Sequence, residues 1–391
     1  MQDTAAQLLR DLVAFPTVSR DGNRDLLLYV EAYLRRHGVA SEILWAPEGD
    51  RVNLWATTGP PGARGGKIAR HADVVPVDWR NPASDPFQVR EPGDGRLYGR
   101  GVADMKGFVA LSLALVPELL RRDLKAPVHF AFSYDEEIGC VGVRSLVEKL
   151  GTLAVKPALC IVGEPTLMQP IVAHKGGRSY RVSITGRAVH SSLTPLAVNA
   201  IEVAAELIQY LKSIATDWRQ QGPFDGEFDV PHSTLSVGLI RGGAAINISA
   251  EHCEFVFEFR HLASLDADAL MRRVEDYVRG TLLPAMHKVA PESGIVFEPL
   301  YFYPGLDMAP EHPAVTFVKQ LAGRNDHAKV AFGTEAGHFH RTAGIASVVI
   351  GPGAIAQAHK PDEWIEISQL DAGERFLARL LDRLVEAPLA F

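Results

Sequence analysis

Apolar positions along the chain recur with two periods, and the alternation between them predicts the fold. Leu8, Leu9, Leu12 and Val13 form a stripe of helical spacing, and Leu27, Val30, Tyr33 and Leu34 form a second that stops at Gly38. Short apolar runs then predict strands over 52–57, 67–69 (leading into His71), 128–133 and 158–162. Among these, 108–120 is long and apolar enough for a buried helix. Strands alternating with helical stripes argue for an α/β sheet covered by helices.

The pattern changes near residue 179. A strand over 180–185, a helix over 191–214, strands over 235–240 and 253–260, and a helix over 264–279 follow in turn. Ser264 is a suitable N-cap type for that last helix. This order predicts a small α+β domain inserted at 179–290. The larger domain, 1–178 and 291–391, resumes with a helix over 314–322, strands over 329–332 and 347–350, and a helix over 368–387. Residues 59–66 read as a Gly/Pro turn and 218–231 as a loop within the insert.

Composition narrows the class. At 391 residues the chain suits two domains or one with a large insertion, and 47% hydrophobic residues exclude disorder. A net charge of −7 argues against nucleic acid or an anionic membrane as partner and leaves room for metabolites and divalent cations. Cys140, Cys160 and Cys253 are odd in number, widely spaced and free of any CxxC, so neither a disulfide framework nor a thiolate zinc site is expected. The N-terminus lacks a basic and apolar leader pattern, and no apolar run reaches the roughly 18 residues of a membrane span. A reducing cytoplasm is the expected address.

Five acidic or imidazole clusters each follow a predicted strand or a Gly-rich turn, where open α/β sheets bind ligands. In His71-Ala72-Asp73 the two polar residues share a strand face, so the imidazole can bind metal while Asp73 orients it. A partly buried histidine with an acidic partner is the alternative. Asp104 lies among Gly99, Gly101 and Gly107, placed to bridge two cations or to cap the next helix. In Asp135-Glu136-Glu137 one glutamate can ligate while its neighbour acts as general base, or the run is simply an acidic helix start. Glu164 precedes a proline, and His359 follows a Gly-Pro-Gly turn. Either alone reads as a loop residue. Together they form a mixed nitrogen and oxygen donor set suited to Zn²⁺, or to Co²⁺ or Mn²⁺.

The order HADVVPV, DGRLYGRGVADMKG, DEEIG, GEPT, GRAVHSS, GGAAINI, GTEAGHF and GPGAIAQAHKPDE resembles the dinuclear-zinc aminoacylase and exopeptidase family over essentially the whole chain. Its closing runs look most like the acetylornithine deacetylases of that family. The resemblance implies a catalytic domain on a mostly parallel sheet, an inserted lid and dimerisation domain, and two Zn²⁺ ions. It implies hydrolysis of an N-acyl amino acid, foremost N2-acetyl-L-ornithine to L-ornithine and acetate, as in arginine biosynthesis. Asp104 would bridge both metals, His71 and Glu164 would ligate one, and Glu137 and His359 the other. Glu136 would be the general base and Asp73 the partner of His71. A cis peptide would follow Asp104. In the insert, His190 would reach a neighbouring subunit's site to stabilise the oxyanion. Asn247 and Arg260 would contact substrate, a surface ion pair being the other reading of Arg260.

The chain departs from the family at Arg70, where glycine is usual, and at Ala72 and Val102-Ala103. Strand alternation points Arg70 away from His71. His338 and His340 read as pocket or packing groups rather than ligands. A desuccinylase, dipeptidase or carboxypeptidase on the same fold is the alternative enzyme, and a non-catalytic binding protein is the alternative class.

Overall fold

Thr4 caps the first helix, Ala5–Val13, by accepting from the Gln7 N–H, and the stripe Leu8, Leu9, Leu12 and Val13 is wholly buried. The second stripe forms helix Arg24–Arg36, with Leu27, Val30, Tyr33 and Leu34 inward. These details come from a computed structural model that describes residues 4–47, 49–77 and 84–391. The chain divides into two units.

The first unit holds residues up to His174 together with Leu306–Val330 and Thr334–Phe391. Its early strands are β1 (Ser41–Trp45), β2 (Val52–Thr58), β3 (Gly66–His71), β4 (Arg96–Tyr98), β5 (Val128–Ser133), β6 (Leu159–Val162) and β7 (Ile171–His174). The second unit, Lys175–Gly305 with Ala331–Gly333, contributes β8 (Gly176–Thr185), β9 (Thr234–Gly242), β10 (His252–His261) and β11 (Gly294–Tyr303). The first unit resumes with β12 (Leu306–Asp307), β13 (Ala328–Val330), β14 (Ala346–Val349) and β15 (Trp364–Glu366).

In the first unit a nine-stranded sheet runs β1-β2-β5-β3-β6-β14-β7-β12, with β13 alongside β7. The central run β5-β3-β6-β14 is parallel, and β1, β2 and β12 pair antiparallel toward the edges. The central strands are almost continuously buried, as expected for parallel strands covered on both faces. Helix Lys106–Ala114 is buried nearly all round, and the predicted 108–120 helix is divided from Val116–Arg121 just before Pro117. A two-stranded ribbon pairs β4 with β15.

The second unit is an antiparallel sheet, β11-β8-β10-β9. Helix Ala200–Gln221 places Ala200, Ala204, Leu207, Leu211, Ile214 and Trp218 in one stripe against Phe255, Phe257 and Phe259. The helix expected from residue 191 starts later. Ser191–Leu196 is a short 3₁₀ turn containing Pro195, and Asn199 supplies the cap. Likewise Asp266, not Ser264, caps Ala267–Tyr277, accepting from two backbone N–H groups. The expected insert bounds of 179–290 leave out β11, whose Pro299 lies where the pairing register with β8 shifts.

Candidate metal centre

The four parallel strands end side by side, and the donors follow their carboxyl ends. β3 ends at His71, with Asp73 two residues on; β5 leads into Asp135-Glu136-Glu137; β6 leads through Gly163 to Glu164; and β14 leads through 351–353 toward His359. Gly163 is required there, since a Cβ would lie 1.8 Å from the Phe108 ring. Asp104 comes from the turn between β4 and helix Lys106–Ala114, and its peptide bond to Met105 is cis, as the resemblance implied.

Asp104 faces two ways. Its Oδ1 is 3.2 Å from His71 Nε2, and its Oδ2 is 3.2 Å from His359 Nε2. Around His71, Glu164 Oε2 lies at 3.7 Å; around His359, Glu137 Oε2 lies at 3.1 Å. Two donor sets thus share one carboxylate. Atoms of His71, Asp104 and Glu137 lie within 4.8 Å of one another, as do atoms of His71, Glu136 and Glu164. Neither His338 nor His340 enters such a group among the described residues.

Asp73 wires the centre together. Its Oδ2 accepts from Ser19 Oγ at 2.8 Å and from the Glu137 N–H at 3.3 Å. Its Oδ1 accepts from the Glu136 N–H at 3.2 Å and stands 3.6 Å from His71 Nδ1. The Asp73 carbonyl is nearer still to Nδ1, at 2.9 Å. With Nδ1–H donated there, Nε2 is left to face Asp104 and Glu164. The first acid of the triplet has a separate task. Asp135 adopts a φ of 51° and takes Arg51 Nη1 at 2.7 Å and the Arg20 N–H at 2.9 Å.

Burial and mutual repulsion govern the charges. Burial, with Glu164 adding, holds Glu136 well above the usual carboxylate range. Burial and the Asp104 charge lift Glu137 to about 7. Burial, opposed by His71 but aided by Asp104 and Glu137, lifts Glu164 to about 8. Hydrogen bonds to Asp104 and Glu137 raise His359 to about 10. Burial opposes protonation of His71, but Glu164, Asp104 and Asp73 outweigh it and raise its pKa. Carboxylates so crowded hold protons where cations are absent. Glu164 Oε1 is buried with no hydrogen-bond partner among the described residues, an open donor position of the kind a cation completes. Two imidazoles and three carboxylates therefore fit a pair of divalent metal ions.

Two residues passed over in the sequence touch this centre. Cys140 donates its thiol to Glu136 Oε1 at 3.3 Å, and burial keeps that thiol protonated. Glu363 lies under the Asp104 turn. Glu363 closes the GPGAIAQAHKPDE run and Cys140 directly follows DEEIG, so proximity to the candidate ligands was the available signal.

The other expected site residues lie in the second unit. His190 is exposed, its Nδ1 2.9 Å from Ser192 Oγ. It pairs across a β-bridge with Ile248, and the Ser191 N–H reaches the Asn247 carbonyl, which brings His190 and Asn247 together on one exposed edge. Arg260 forms the ion pair, with Glu258 at 3.2 Å.

Residues 68–383 match the family model for peptidase family M20/M25/M40. The chain belongs to that family. It is 32% identical to an acetylornithine deacetylase of Proteus mirabilis over 99% of this chain and 98% of that one. It is 34% identical to an acetylornithine deacetylase of Shigella sonnei over 92% of each. Its fold matches an M20 family metallo-carboxypeptidase of Sulfolobus solfataricus at a TM-score of 0.76 and 18% identity, covering 98% of this chain and all of the other. The family and the donor cluster together make this a metal-dependent amidohydrolase. Among the described residues, no helix is long and apolar enough to cross a membrane.

Proposed function

We propose that the chain hydrolyses N2-acetyl-L-ornithine to L-ornithine and acetate, as in arginine biosynthesis, using two Zn²⁺ ions that Co²⁺ or Mn²⁺ can replace. The observation that carries the reading is Asp104, with one oxygen turned toward each histidine. The substrate rests on the acetylornithine deacetylases, similar along nearly the full length. His71, Asp104 and Glu164 would hold one ion, and His359, Glu137 and Asp104 the other. When bound, the ions supply a water of lowered pKa and polarise the amide carbonyl.

Glu136 takes the proton of the attacking water and hands it to the leaving amine. Its buried carboxyl, already favouring the protonated form, suits the second half of that exchange. The Cys140 thiol and the Asp73-held backbone keep the Glu136 side chain in one place. His190 of the partner subunit stabilises the oxyanion, with Asn247 beside it for substrate contact. Arg260 would grip a substrate carboxylate only on leaving Glu258.

A homodimer through the second unit is supported by β9, an edge strand with Leu239 and Ile240 exposed near exposed Ile246 and Ile248. Three free, buried cysteines support a cytoplasmic address. No nucleic-acid or membrane partner is proposed.

The test is a substrate panel with zinc-loaded wild type and Glu136→Gln. Acetylornithine should exceed succinyl-diaminopimelate and dipeptides in kcat/KM, with the variant down by orders of magnitude. Preference for another acyl group or for a dipeptide would reassign the substrate. Turnover retained by the variant would remove Glu136 as base, and tight binding without turnover by wild type would mark a binding protein.

A further inference from the structure

Glu363 is 1% exposed, and neither of its oxygens is idle. Oε2 accepts from Arg100 Nη1 at 2.9 Å and from the Gly101 N–H at 2.8 Å. Oε1 accepts from the Ala103 N–H at 2.9 Å and the Asp104 N–H at 3.1 Å. One carboxylate thus gathers three backbone N–H groups of the turn that ends at Asp104. The turn is shaped for this: Gly101 has a φ of 81°, and a Cβ there would lie 2.7 Å from Val74 Cγ1. The Glu363 carbonyl also accepts from the Gly99 N–H at 3.0 Å.

Glu363 follows His359 by only four residues, so a single segment holds Asp104 from both ends. Glu363 grips its backbone N–H, while His359 meets its Oδ2. The geometry points to Glu363 as a positioning residue that locks the Asp104 carboxylate and the His359 imidazole into one rigid unit. It thereby sets the affinity of the metal position they share. This rests on the dinuclear reading of the centre. His71 and Glu164 stand at the ends of β3 and β6, so an ion held by them feels slack in Asp104 alone. An ion between Glu137 and His359 feels slack in both Asp104 and His359. Loss of the clamp should therefore weaken the two positions unequally.

In Glu363→Gln one oxygen becomes an NH₂ facing backbone N–H donors, and Arg100 loses its counter-charge. The experiment is calorimetric Zn²⁺ titration of the metal-stripped full chain, as wild type, Glu363→Gln and His359→Ala. Wild type should show two binding events, and His359→Ala should identify the one belonging to His359. Glu363→Gln should weaken that event by about 10- to 100-fold and the other by less than about threefold. Two unchanged events in Glu363→Gln, or equal weakening of both, overturn the clamp. Fewer than two events in wild type overturn the dinuclear reading and the clamp with it. If Glu363→Gln does not fold, Glu363→Asp keeps the charge but falls one methylene short of its donors. It should show the same unequal loss, and wild-type affinities in it overturn the proposal.

Discussion

Substituting Asn for Asp73 changes almost no volume but forces a choice on the three donors at its carboxylate. If the amide NH₂ replaces Oδ1, it confronts the Glu136 N–H and also stands beside the His71 imidazole. If it replaces Oδ2, it confronts Ser19 Oγ and the Glu137 N–H. Ser19 can turn its hydroxyl and accept, so the second orientation costs less and leaves the Glu137 N–H unpaired. One buried donor without a partner costs about 1–3 kcal/mol. The negative charge beside His71 is lost as well, and such outer partners of a ligating histidine are worth about 10- to 100-fold in metal affinity or activity. Asp73→Asn should therefore lower kcat/KM by about 10²–10³, since a decade corresponds to about 1.4 kcal/mol. The assay is steady-state release of free amine from N-acetyl-L-ornithine over a range of Zn²⁺ concentrations. Saturating Zn²⁺ should restore only part of the loss, because the Glu136 backbone is held by the same carboxylate. A kcat/KM within about threefold of wild type would refute this reasoning.

Two predictions concern stability. Arg70 is fully buried, its guanidinium 4.1 Å from the Phe132 ring centre and 5.0 Å from that of Phe130, with no hydrogen-bond partner on any side-chain nitrogen among the described residues. Arg70→Met should raise unfolding stability by about 1–3 kcal/mol, the relief of an unpaired charge less the lost cation–π contact; a lower urea midpoint would contradict this. His129, 5% exposed and accepting or donating at Nδ1 with Thr57 Oγ1, is held down to about 4 by burial and by Lys67. The unfolded chain takes up this proton below about pH 6.5 and the folded chain does not. The contribution is therefore complete above about 6.5 and is lost as pH falls toward about 4. Over that window wild type should lose about 3 kcal/mol more than His129→Gln. Parallel pH profiles of urea unfolding for the two proteins would contradict it.

The donors that follow strand ends were legible because position after a buried run is a local property. His71, Glu136, Glu137, Glu164 and His359 are all of this kind and the parallel sheet then does the converging, but Glu164 and His359 alone read as loop residues, and their roles came from the resemblance. Strand alternation likewise placed Arg70 on the face opposite His71, where it meets Phe132 across the β3–β5 register. What escaped depends on partners far along the chain. Asp135 is explained by Arg51, 84 residues earlier, and Glu363 by a turn about 260 residues earlier. No local pattern encodes such pairs. Helix starts in the second unit escaped for a different reason. The segment expected to be helical from Ser191 is interrupted by Pro195, and in the second, Asp266 rather than Ser264 accepts the two N–H contacts of the cap. Pro299 reads as a strand breaker, yet β11 accommodates it at the edge of its sheet with a shift in register.

On the proposed reading, hydrolysis requires two metal ions held on either side of Asp104. Zinc titration of chelator-stripped protein decides this, with bound metal and acetylornithine hydrolysis measured on the same samples. Activity should be absent in the stripped protein and saturate as bound zinc reaches two per chain. Turnover that persists without metal, or that is indifferent to bound zinc, would rule out a dinuclear catalytic centre.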